Sequence, residues 1–171
     1  YQEIYPHQLP QPSAVVSGFP VWDPRDGAQS RGNPATWQPS ANPVLQLLDY
    51  MTHSDRGMGL DYDFFFASQI EAWKDEADLC DALVNKVGGT EKRYQSNGWY
   101  SFDTKPSDVI GAILSTCDGW LDQDGDGAFV IKVGVYREPT ITLTEKHKFA
   151  LAKLNYGVSD EETVNELTLS F

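Results

Sequence analysis

Residues 21–55 read VWDPRDGAQSRGNPATWQPSANPVLQLLDYMTHSD, and the two halves of this stretch obey different rules. The first half carries Pro24, Pro34 and Pro39, two large apolar anchors in Trp22 and Trp37, and no periodic run, so it predicts an ordered loop without regular structure. The second half opens on Asn42-Pro43. Asparagine is a strong N-cap, and proline suits the first helical position because its missing N–H would have no partner there. From that point Val44, Leu47, Leu48 and Met51 recur at i, i+3, i+4 and i+7, which predicts a helix with one inward stripe and with Asp49 and Tyr50 off it. The helix is expected to pack on a core while the loop before it crosses the surface.

Outward from this stretch, residues 1–13 hold three prolines and no periodicity and read as an extended lead-in. Residues 14–22 read as two short strands folding at Ser17-Gly18, with Pro20 demoting the second to an edge. Ser68 and Glu71 have the spacing of a capping box, behind which Ile70, Trp73, Ala77 and Cys80 predict a second helix. Asn97-Gly98 suits a type I′ turn and places a hairpin over 92–102. A third helix is expected from Pro106, burying Val109, Ile110, Ile113, Leu114 and Cys117, with Gly119 as its left-handed cap. Trp120-Leu121 and 128–136 form the arms of a further hairpin, with Phe129, Ile131, Val133 and Val135 on one face. Residues 140–144, 149–156 and 166–171 read as strands, and 159–162 as a capped helical turn. The fold class is therefore α+β: three helices packed on antiparallel hairpins, behind an irregular Trp/Pro-rich loop, with residues 14–171 taken as a single domain.

Composition narrows function by exclusion. The formal charge of −12 opposes binding to nucleic-acid phosphates or to an anionic membrane, and sets copies of the chain against one another at low salt. The isolated chain is expected to be a monomer or weak oligomer. No apolar run is long enough to span a membrane. The chain starts at Tyr1 without methionine and stops at Phe171 within an alternating pattern, and it is expected to be a piece of a longer polypeptide. Cys80 and Cys117 fall on helical stripes and read as small buried hydrophobes, a disulfide being the alternative.

Several motifs invite chemistry. Asp122-Gln-Asp124-Gly-Asp126-Gly127 matches the first half of an EF-hand loop, but Val133 stands where the bidentate twelfth ligand belongs, so a solvated acidic turn is the favoured reading. His7, His53 and His147 are scattered and lack metal-ligand spacing. Asp61/Asp63 and Asp75/Glu76 are carboxylate pairs of the kind that acid–base catalysis uses, and chance supplies such pairs among 25 acidic residues. No catalytic, cofactor-binding or metal-binding residue is assigned. Arg25 is expected to pair inside its own loop, with bridging between subunits as the alternative. Of Phe64, Phe65 and Phe66, at least one must face solvent or another chain.

The order Trp22-Asp23-Pro24-Arg25, Trp37, Asn42-Pro43, Leu48-Asp49-Tyr50 and Gly57-Met58-Gly59 resembles the central tail-tip or hub proteins of siphophages, the lambda-like host-specificity proteins and the hub proteins of gene-transfer agents. The likeness continues through Leu79-Cys80-Asp81, Arg93-Tyr94, Asn97-Gly98 and the 109–117 helix with the hairpin after it, and ends at Asp160-Glu161 to Phe171. The run of aspartates at 122–126 and the aromatic, acidic stretch 61–76 depart from the pattern. What the resemblance implies is a non-catalytic structural segment of a virion tail tip or baseplate hub, assembled in the host cytoplasm. It would help close the tail tube and serve host attachment and genome passage. The partners implied are other hub subunits, as a homotrimer in the virion, and distal tail and tube proteins; sequence-specific nucleic-acid binding and membrane insertion are not implied. The alternatives are a module associated with a cell-wall hydrolase and a calcium-dependent adhesion module.

Overall fold

A computed structural model describes residues 14–142, 144 and 146, and the chain divides into a unit spanning Tyr1–Val135 and a second spanning Tyr136–Phe171. The first unit is built around helix α1, Pro43–Thr52, which packs against α3 (Ile70–Asp81), α4 (Pro106–Ser115) and strand β1 (Pro20–Val21). Its start follows the sequence: the Asn42 side chain accepts a bond from Val44 N at 3.1 Å. Its burial is wider than one stripe. Val44, Leu45, Leu47, Leu48 and Met51 are buried, and so is Tyr50, against expectation, because the Tyr100 ring meets it edge-on at 5.2 Å.

The fold is α+β, with four helices and three separate two-stranded antiparallel ladders among the described residues. The segment after α1 turns back through Gly57, where a Cβ would meet the Tyr50 carbonyl oxygen at 1.9 Å; only glycine permits that approach. Met58 N then donates to Tyr50 O, and Leu60 N to Met51 O. Next come the single-turn α2 (Tyr62–Phe65), capped by Asp61, and a 3-10 turn over Ala67–Gln69 that runs directly into α3. The expected capping box is not formed. Gln69 N bonds to Phe66 O, which places Ser68 inside the 3-10 turn, and α3 starts without a side-chain cap. Phe66 is fully buried, Phe65 half-buried and Phe64 exposed, the split that three consecutive aromatics require. Phe66, Trp73 and Phe129 form an aromatic cluster, and Trp73 Nε1 donates to Phe129 O at 2.8 Å, which lets the indole bury its polar edge.

Further expectations change. Strand β1 pairs with β2, Gln38–Pro39, and not with residues 14–16; Pro20 faces Pro39, and with no N–H on either the ladder stops after two pairs. The middle hairpin lies ten residues before its expected place, as β3 (Leu83–Lys86) and β4 (Gly89–Lys92), with Gly88 at φ 87°. Asn97-Gly98 loses the competition because Ser96 N donates to Ala41 O and Gln46 Nε2 to Ser96 O, so this backbone is tied to the start of α1. At the end of α4 it is Asp118, at φ 48°, that takes the left-handed conformation, while Gly119 is needed for closeness: its Cβ would lie 2.9 Å from Cys117 Sγ. In α4 and after it, Val109 and Cys117 are buried and Ile110, Ile113 and Leu114 only half-buried. Strands β5 (Trp120–Gln123) and β6 (Phe129–Lys132) form the acidic-turn hairpin, with Ile131 and Val133 in the core. Residues 140–142 carry no strand, and the strands expected at 149–156 and 166–171 and the turn at 159–162 lie outside the described residues.

Candidate functional site

Arg25 is the centre of a polar network that joins the loop to α3. Its loop is shaped by Asp23, whose Oδ1 accepts from both Arg25 N and Nε at 2.9 Å and whose Oδ2 accepts from Nη2 at 2.7 Å. The guanidinium then reaches across to the last turn of α3, donating to Asp78 Oδ1 at 2.8 Å and to Asp81 Oδ2 at 2.9 Å. Asn42 joins from the other side: its Nδ2 donates to Asp81 Oδ2 and to Ala77 O, both at 2.9 Å, while its Oδ1 caps α1. Lys92 Nζ stands 2.6 Å from Asp81 Oδ1. Arg25 therefore does pair within its loop, as expected, but it also binds the loop to α3.

The electrostatics explain why a cation is needed. The last turn of α3 holds Asp78 and Asp81 and no basic residue of its own, at the end of a helix where backbone carbonyls already make the potential negative. Arg25 and Lys92 supply the positive charge from elsewhere in the chain. Burial pushes the Asp81 carboxyl up, but bonds from Lys92, Arg25 and Asn42 outweigh it and hold the group below the usual carboxylate range. Asp23 is lowered in the same way, its burial outweighed by Arg25. Bonding to Asp23 above all pushes the Arg25 guanidinium up.

A second constellation lines an open cleft of about 420 Å³ at the far end of α1, formed by Arg31 and Trp37 from the loop, Asp49, Thr52, His53 and Ser54 from the helix end, and Leu60, Asp61 and Tyr62. Its charged groups are mostly engaged in holding the walls. Asp49 takes a two-pronged pair from Arg56, at 2.8 and 3.0 Å. Asp61 Oδ1 caps α2. Arg31 stacks 4.2 Å over the Tyr62 ring, and His53 accepts from Asp55 N and meets the Trp37 ring edge-on.

The remaining candidate groups diverge. Asp63 pairs with Arg31 at 3.5 Å while Asp61 caps α2, and Asp75 is exposed while Glu76 is buried, receiving Lys132 Nζ at 2.8 Å and Val133 N at 3.0 Å. In the aspartate turn, Asp124 Oδ1 accepts from Asp126 N and Ala128 N, and Oδ2 accepts from Gln69 Nε2 at 2.7 Å, so this carboxylate closes the hairpin and fastens it to the start of α3. Among the described residues no three His, Cys, Asp or Glu side chains are gathered as a metal site. His7 and His147 lie outside the described residues. Cys80 and Cys117 are free, buried thiols, and the hydrogen bond that the Cys80 thiol donates to Cys117, with burial, pushes Cys80 up.

Sequence reasoning missed the Arg25–Asp78–Asp81 and Glu76–Lys132 links, which join residues 53 to 56 positions apart. A cation-free, aspartate-bearing last turn in α3 was the one local sign that a partner had to come from elsewhere. No helix among the described residues is long and apolar enough to cross a membrane. No family model and no curated protein matches the chain.

Proposed function

We propose that this chain is a non-catalytic structural segment of the tail-tip or baseplate hub of a phage or prophage, where it helps close the tail tube and takes part in host attachment and genome passage. The observation that carries the reading is where the resembling residues go. Asp23, Arg25, Asn42 and Asp81 meet in one network, Asp49 receives Arg56, and Gly57 lets the chain fold back on Tyr50. Their spacing is thus a requirement of the path around α1, and residues committed to holding backbone in place suit a scaffold better than a catalyst. In this role the partners are further hub subunits, as a homotrimer in the virion, and the distal tail and tube proteins. The acidic balance suits a passage for DNA, since a negative wall repels the phosphates it conducts.

The reading is tested by gold-labelled antibody against this chain, applied to tailed particles from the cell that carries its gene. Label at the tail tip is the expected result. Tailed particles that never take the label, or release of soluble fragments from cell wall by the purified chain, would overturn it.

A further inference from the structure

We infer that residues 82–105 form an arm by which the chain docks on the acidic body of a second copy of itself. The arm differs from everything around it in charge. It carries Lys86, Lys92, Arg93 and Lys105 against Glu91 and Asp103, a net of +2, while residues 14–81 hold four basic against eleven acidic residues and 106–135 hold Lys132 against five aspartates. It differs in exposure too. Among the described residues the β3–β4 ladder has two strands and no third, and none of its eight strand residues is buried. Val87, Trp99 and Phe102 are each 85% exposed or more, and Leu83 is 68% exposed.

The arm is rooted. Ser96 N donates to Ala41 O at 2.8 Å at one end of α1, and the Tyr100 hydroxyl donates to Arg56 O at 2.7 Å at the other. Trp99 and Phe102 therefore project from a segment held at fixed points. A two-stranded ribbon is marginal alone, and outward aromatics beside cations have the composition of an interface centre. The surface of matching sign that this chain itself offers is the acidic body of another copy. Lys86 pairs with Glu91 and Lys92 with Asp81, so Arg93 and Lys105 are the cations left to face a partner. At physiological salt screening acts over about 8 Å, so the arm meets its apposed surface while the net charges of the two copies are largely screened from each other. The contact is arm to body, hence heterologous, and repeats around a ring or along a filament. The inference rests on charge and exposure and holds whether or not the chain belongs to a tail tip.

Sedimentation velocity of the chain, from micromolar to near-millimolar concentration at physiological salt, is the test. Association that rises with concentration is expected. It should weaken about tenfold or more in Trp99→Ala/Phe102→Ala and in Arg93→Glu/Lys105→Glu, and stay unchanged in Phe64→Ala, whose exposed ring lies outside the arm. An unchanged melting temperature shows that each variant is folded. A monomer at every concentration overturns the inference, as does equal weakening by Phe64→Ala. Binding of oligothymidylate by a chain that stays monomeric, lost in Trp99→Ala, would assign the arm to single-stranded nucleic acid and overturn it as well.

Discussion

Helix α1 and the β3–β4 ribbon are of similar size, and the same chain treats them oppositely. Seven of the ten α1 residues are buried, while none of the eight ribbon strand residues is. Around α1, partners come from near and far along the sequence: Tyr100 on Tyr50, Ala77 on Asn42, and Met58 and Leu60 folding back on the last turn. The ribbon has its own ladder, the bond from Arg93 N to Ala82 O, the pair from Lys92 to Asp81 and little else. The contrast shows that regular hydrogen bonding and stability are different things; a ladder is complete in both strands and still stabilises little when it covers no apolar surface.

The sharpest way to break the α1 side is Gly57→Ala. With the added carbon at 1.9 Å from the Tyr50 oxygen, the turn must move and forfeit its bonds to Tyr50 and Met51, and a loss of about 3 to 5 kcal/mol is expected in denaturant unfolding. A loss below about 1 kcal/mol would show that the turn relaxes freely.

Arg25→Ala should cost about 2 to 3 kcal/mol, since it leaves Asp23 and Asp81, each about one-fifth exposed, without their shared cation. The companion Asp81→Asn separates the pair from the site. In a double-mutant cycle the two changes should be strongly non-additive, and simple additivity would mean that Arg25 does not act through Asp81.

Acid probes the same network with a definite sign. Asp23 and Asp81 are lowered in the folded state, so the stability they contribute is fully present above the unfolded carboxylate range, near about 4, and is lost as pH falls through their lower folded values. Unfolding free energy should therefore fall steeply below about pH 4, and less steeply in Arg25→Ala, where Asp23 has lost the guanidinium that lowers it and Asp81 keeps only Lys92 and Asn42. Identical acid slopes in the two proteins would remove the network from the account.

On the ribbon the expected effect is close to nothing. Val87 is fully exposed at the turn, and Val87→Ser should change stability by less than about 0.5 kcal/mol.

What the sequence makes legible follows the same division. Asn42-Pro43 and Pro106 announce helix starts that the structure keeps, because caps are settled within a few residues. The acidic hairpin and the split of Phe64 to Phe66 are local decisions as well. The ribbon is not legible: Asn97-Gly98 is a stronger turn signal than Val87-Gly88, and what overrules it is a bond from Ser96 to Ala41, 55 residues earlier. The Arg25 clamp is hidden for the same reason, since nothing near Arg25 announces Asp78 or Asp81. Asp118 shows a finer limit, a glycine one residue on being used for contact while the aspartate takes the positive φ.

Native-state hydrogen exchange on the dilute chain tests the contrast most directly. Amides of 47–51 in α1 should exchange only through global unfolding, and the paired amides of 83–92 should exchange faster by about two orders of magnitude or more. Equal protection in the two regions would contradict the account, because it would mean that the ribbon unfolds only with the core.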